Sequence, residues 1–297
     1  MENNIATEKL KQTENTKRED EIGIHPYADK YTAILKYEPI ELNGLVYYPI
    51  KVADYEKWQA CKPVLELRQG TLPAVYACMT YLQCVWALYF DAMGQEIPQG
   101  KLWIRLAQLM FLSLRLSDKD VIQPIGDPSD PRTITALRIT KNGEQHDIGA
   151  FEFPQVRKLI ADQNGAELPD EADNPDLIQA AEDMEAAHRT ANVKADFGDM
   201  LSSVASARNI RRSDLLDWTV KEFSDELRAI SRRFGFFLAS IAETQGAKFP
   251  NGNPCPTWIF EKEKNEFAGL ISMEKLSADH HTSFVRQDTS APITQSP

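Results

Sequence analysis

No GxxxxGK[ST] phosphate loop, no GxSxG nucleophile elbow and no HExxH metal helix occurs in the 297 residues. Cysteine is scarce: Cys61, Cys78, Cys84 and Cys255 lack the paired spacing of a zinc module and are too few for a disulfide scaffold. The five histidines, His25, His146, His188, His280 and His281, are scattered, so no catalytic or metal constellation can be read from them. Basic side chains are outnumbered, 33 Lys+Arg against 44 Asp+Glu, for a net charge of −11. That balance disfavours a general nucleic-acid binder, which needs a basic field to meet phosphates. No apolar core follows the first lysines, so no secretory leader is expected. What is present is ordinary: 42% apolar and 26% charged residues, in a length that permits a sizeable core.

The charge is uneven. Residues 166–200 hold ten acidic and two basic groups, net −8, while 22–165 and 201–277 come to −1 and +1. A nearly neutral body with an acidic joint suggests five parts. Residues 1–21 are a polar head that cannot bury enough surface to offset ordering entropy. Residues 22–165 form an N-terminal part, 166–197 an acidic linker, 198–277 a helical C-terminal domain, and 278–297 a loose Ser/Thr/Pro tail.

Asn43-Gly44 and Asn142-Gly143 each sit between β-branched and aromatic residues, and both pairs supply the positive φ angles of a tight hairpin turn. Two hairpins, in 33–51 and 133–153, suggest one small antiparallel sheet or β-flap beside helices. Between them, residues 69–90 carry no formal charge, a length that could cross a bilayer. Pro73, Thr80 and Gln83 interrupt the run, and Arg105 and Arg115 lie amid the apolar residues of 101–116, so a buried helix pair is expected instead. Pro73 suits a first helical turn, and Gly94, Pro98 and Gly100 suit the connection.

A short helix should follow over 154–165 and stop at Asn164-Gly165. Beyond the joint, one helix begins near Asp199 and ends at Asn209, Ser213 caps a short one, and Thr219 with Glu222 has capping-box spacing for a long one. In the long helix Val220, Phe223, Leu227, Ile230, Phe234, Phe237 and Ile241 make an amphipathic stripe. Arg208, Arg211, Arg212, Arg228, Arg232 and Arg233 form two basic clusters, expected to pair with Asp214, Asp217, Asp225, Glu226 and the acidic joint. Carboxylates at 170–176 fail the spacing of a calcium loop, and His280-His281 reads as solvated tail. Cys255 sits in a proline-flanked extended segment without the base or helix terminus that activates a thiol, and the cysteines together read as reduced and mostly buried. Trp258, Ile259 and Phe260 look like an anchor for that segment. The fold class expected is mainly α with small antiparallel β-hairpins (α+β), a helical core plus a helical C-terminal bundle.

One order of motifs carries a family resemblance. DEADNPD after IADQNG is followed by DFGDMLSSVASARN, DLLDWTVKEFSDELRAISRRFGF and NPCPTWIF, and YEPIELNGLVYYPIKVADY stands near the start. Over about residues 32–265 this resembles the tail assembly chaperone-type and related tail-module proteins of tailed bacteriophages that infect Gram-positive hosts. The chain departs from them in its polar head, its Ser/Thr/Pro tail and its length. The resemblance implies a non-catalytic protein of the host cytoplasm that binds the tape-measure protein, or a tail tube protein, during virion morphogenesis. No cofactor, metal, nucleic-acid or membrane contact is expected, and self-association is left open. Partner contact is expected at Phe223, Leu227, Arg228, Arg232, Trp258 and Phe260. The alternatives are a structural tail or baseplate component, a small-molecule binder or enzyme with a cleft beside residues 72–116, and a membrane-inserted lysis protein resting on residues 69–90.

Overall fold

A computed structural model of the chain describes residues 23–92, 98–169, 180, 196–249, 253 and 255–259. The expected head, most of the acidic linker including 170–176, Gly94, Phe260, His280-His281 and the tail lie outside them. All described residues except Ala180 fall within a single compact unit. The architecture is mainly helical α+β: nine α-helices among the described residues and two three-stranded sheets.

The first sheet is β1 (His25–Pro26), β2 (Ile40–Leu42) and β3 (Leu45–Tyr47). Asn43 and Gly44 hold φ of 55° and 71°, as an Asn-Gly hairpin turn requires. Helix α1 (Lys30–Lys36) occupies part of the stretch expected to be strand, ending at Tyr37 in the left-handed region. Thr32 and Lys36 face water while Ala33 is buried, so burial rather than β-propensity decides. The second sheet is β4 (Val121–Ile125), β5 (Ala136–Lys141) and β6 (Glu144–Gly149), all antiparallel, with Asn142-Gly143 turning the second hairpin. The two hairpins thus belong to separate sheets, each completed by a strand that the turn chemistry did not reveal. Pro124 is tolerated because β4 is an edge strand.

The uncharged run is not one helix. It breaks into a turn at Gln69–Thr71, a single-turn helix α3 (Ala74–Ala77) after Pro73, and α4 (Tyr81–Asp91). Thr80 and Gln83 break it, as a reciprocal capping box at the head of α4. Among the described residues no helix is long and apolar enough to cross a membrane. Helix α4 packs on α5 (Leu102–Leu114) and on α6 (Phe153–Asn164), and α5 packs on α2 (Tyr55–Leu65), around a core that includes Trp58, Leu82, Leu106, Met110 and Phe153. Arg157 of α6 is buried, donating to the carbonyls of Leu65 and Leu67 under the face of Tyr81.

The C-terminal helices are α7 (Phe197–Arg208), capped by Asp196 and closed by left-handed Asn209, α8 (Arg212–Leu215) and α9 (Val220–Thr244). Arg211, not Ser213, stands at the N-cap of α8, and Ser213 lies inside it. These helices join the N-terminal part through the segment 48–53, which carries an isolated bridge from Lys51 to Thr219 and a 3-10 turn at Val52–Asp54. Tyr48 N–H donates to Ser113 O of α5, Val52 N–H to Trp218 O, and Ala53 N–H to Leu216 O, while Ile50 O accepts from Val220 N–H. Ile50 N–H itself donates to Asn164 Oδ1 at 2.8 Å, and Asn164 Nδ2 donates back to Ile160 O.

Asn164→Ala should cost about 2–3 kcal/mol in urea unfolding, because it leaves the buried Ile50 N–H without a partner. Tyr47→Phe should stay within about 0.5 kcal/mol of wild type or stabilise, since the buried Tyr47 hydroxyl meets no hydrogen-bond partner among the described residues. Asp120 accepts from Ser117 N–H and Asn142 N–H, and these bonds hold its carboxyl below the usual carboxylate range. Its contribution is therefore present above the ordinary Asp value and lost as pH falls through the depressed folded value. Asp120→Asn should flatten the fall in Tm below pH ~4 while lowering Tm at neutral pH.

Candidate protein-docking surface

The capping box predicted from Thr219 and Glu222 starts α9: Thr219 Oγ1 accepts from Glu222 N–H, and Glu222 reaches back to Thr219 N–H. Burial pushes the Glu222 carboxyl above its ordinary value, partly opposed by that backbone bond. From this start the helix runs 25 residues, about 37 Å. Its apolar positions, Val220, Phe223, Leu227, Ile230, Phe234, Phe237 and Ile241, alternate steps of three and four, a heptad period that keeps them on one seam.

The two halves of the seam meet different surroundings. Phe223 is 1% exposed, in a cluster with Val52, Val204, Ala205 and Leu215, and Leu227 and Ile230 pack against that cluster. Phe197 of α7 stacks face to face on Tyr55 at 4.3 Å between ring centroids, and both set edges toward Phe223. Further along the same seam Phe234, Phe237 and Ile241 are 61%, 52% and 52% exposed, and Leu238 beside them is 67% exposed. The described residues hold no element over this second half. An isolated apolar side chain on a surface is normal, whereas four clustered on one face mark an interaction site.

Outside the seam, Cys255 and Trp258 come close to the helix. A Cβ on Gly235 would come 2.9 Å from Cys255 Sγ, so this approach uses the missing side chain. The Arg233 guanidinium lies 5.9 Å from the centre of the Trp258 ring. Trp258 and Ile259 are themselves about half exposed, so the anchor expected there is partial.

The residues expected to contact a partner therefore divide. Phe223 serves the interior and Leu227 its margin, Arg228 is exposed, Arg232 half-buried and Trp258 half-open, while Phe260 lies outside the described residues. Phe234, Phe237, Leu238 and Ile241 were on the predicted stripe or beside it. Periodicity finds such a stripe but does not tell which half the rest of the chain covers. Of the expected arginine pairings Arg208–Glu226 forms at 2.5 Å, whereas Asp217 pairs with Lys51 and Asp225 with Lys221.

The remaining chemistry is sparse. Among the described residues no three His, Cys, Asp or Glu side chains gather as a metal site. Beside residues 72–116, burial pushes the Cys61 thiol up to about 11, which makes it a poor nucleophile at neutral pH. Tyr76 donates to Asp91 there, and that bond raises its phenol. The four cysteines form no disulfide; Cys61 and Cys84 are buried, Cys255 is half-buried and Cys78 is exposed, so two of the four are buried where most were expected to be. Compared with protein-family models, curated proteins and solved structures, the chain matches none.

The two halves of the seam should respond differently to substitution. Phe223→Ala should cost about 3–5 kcal/mol, whereas Phe237→Ser should change stability by no more than about 0.5 kcal/mol, measured by urea unfolding at low protein concentration.

Proposed function

We propose that the chain is a non-catalytic protein-binding protein of phage tail morphogenesis: a tail assembly chaperone that holds apolar helices of the tape-measure protein in the host cytoplasm. The single observation that supports the binding role is the open second half of the α9 seam, where Phe234, Phe237, Leu238 and Ile241 stand exposed in helical register. An apolar face with heptad spacing suits a partner helix that presents its own apolar residues at i, i+3 and i+4. The phage assignment rests on the motif order of residues 32–265 and its resemblance to tail-module proteins. Beside residues 72–116, among the described residues, Cys61 is held as a thiol and Tyr76 and Asp91 bond to each other, so these groups do not favour the enzymatic reading.

The test is affinity capture from infected cells with the tagged chain. Wild type should retain a long helical phage protein, and Phe237→Glu should retain about tenfold less. Purified virions should lack the chain. Its presence there in stoichiometric amount would overturn the chaperone reading and make it a structural tail component.

A further inference from the structure

We infer that two copies of this chain pair antiparallel through the open half of the α9 seam, with Phe237 of each copy against Ile241 of the other. The inference rests on reading that face as a docking surface, and it names the occupant when no foreign helix is present.

The seam is self-complementary. Its heptad runs without interruption from Val220 through Thr244, although internal packing uses only the stretch to Ile230. The second half therefore continues an interface that the chain already makes with itself, on the same side of the same helix. In the coiled-coil frame Phe234 and Ile241 take one core position and Phe237 and Thr244 the other, with Leu238 at the flank.

The direction of pairing follows from what covers the first half. Helix α7 and the Val52 segment sit on the seam up to Ile230. A parallel alignment would bring both copies of these elements to the same level on facing sides, where they collide. An antiparallel alignment sets them at opposite ends and leaves the two open stretches facing each other. The register that matches open residue to open residue places Phe237 against Ile241 of the second copy and Phe234 against its Thr244. The dyad then falls at the level of Ala239.

Charge does not oppose this. The flanking positions over the open half are Ser231, Arg233, Leu238, Ser240 and Gln245, a single charge in each copy. In the antiparallel register Arg233 comes level with Gln245 of the second copy, so like charges are not opposed. The apolar area is modest. Roughly half of four side chains, at up to ~200 Å² each, gives ~400 Å² per copy. With the polar rim the total approaches the ~1,000 Å² at which specific interfaces begin. The pairing is therefore concentration-dependent, an exchangeable cover for the seam rather than a permanent dimer.

Sedimentation of the full chain tests this over about 1–100 µM, a range that brackets association of this strength. Wild type should shift from monomer to dimer across it. Phe237→Glu alone and Ile241→Lys alone should each weaken association at least about tenfold with unchanged far-UV circular dichroism, since both positions are half exposed. An equimolar mixture of the two variants should dimerise again. In the antiparallel register one layer then sets the introduced carboxylate of one chain against the introduced ammonium of the other. The second layer keeps the native Phe237 on the native Ile241, and a parallel pairing gives no such rescue. A wild-type chain that stays monomeric throughout overturns the pairing and leaves the seam to another chain or to residues 260–297. Dimers that persist in both single variants, or a mixture that is not rescued, overturn it equally. A monomer that still captures a helical phage protein would sink this inference alone, and a rescued dimer that captures none would sink the proposed function alone.

Discussion

The backbone from Tyr47 to Val52 passes through a largely buried setting, with Tyr47, Pro49, Ile50 and Val52 buried, and the partners of its polar groups tie the fold together. At its buried positions after β3 each N–H and C=O needs a partner or costs roughly 1–3 kcal/mol. Those partners come from far along the sequence. Gln163 and Asn164 of α6 serve Tyr47 O and Ile50 N–H. Helix α5 supplies Ser113 O, and the α8–α9 connection supplies Leu216 O and Trp218 O and donates from Val220. Ile50 is buried in the larger core, while Val52, two residues on, belongs to the smaller one. One short segment thus ties α9 to the N-terminal helices and the first sheet.

That anchoring explains where the α9 seam is used. Val220 is pinned at the first residue of the helix by its bond to Ile50 O, so the first turns are held against Val52, Tyr55 and α7. Helix α7 spans 12 residues and α9 spans 25, so α9 outruns its supporting partner. Beyond Ile230, Cys255 approaches the helix at Gly235 and Trp258 lies near Arg233. The exposure of Phe234, Phe237, Leu238 and Ile241 is thus a consequence of helix length against a short neighbour.

Much of this was legible in the sequence, for local reasons. Asn-Gly pairs, the Thr219–Glu222 box, the Asn209 stop and the Asn164-Gly165 stop act through backbone conformation and capping within a few residues, and each stands as read. What escaped was decided by distant partners. Strand β4 exists because β5 has a free edge to offer it, and Pro124 disguised it. Helix α1 wins over extension because burying Ala33 against the core settles a stretch whose own propensities are mixed. Thr80 looked like a polar blemish in an apolar run, and its role as a helix start becomes visible only with Gln83 answering it. The docking face was half legible: the stripe was plain, but Phe223 and Phe237 are equivalent in periodicity and differ only in what lies opposite.

That equivalence is itself informative. If α9 merely overshot its partner into water, nothing would hold large apolar residues at heptad spacing past Ile230, and polar side chains would serve solubility better. Phe234, Phe237 and Ile241 instead keep the register set by Val220, Phe223, Leu227 and Ile230, with Leu238 widening the face. The same segment keeps Gly235 where Cys255 approaches, so its back is committed to internal packing while its front remains apolar. On the reading proposed above, a helix with one side packed on its own chain and the other apolar and open, tied to Ile50 O through Val220 N–H, serves as a binding element. On that reading the cover for its apolar front is a helix, because a helix returns side chains at the spacing this seam presents.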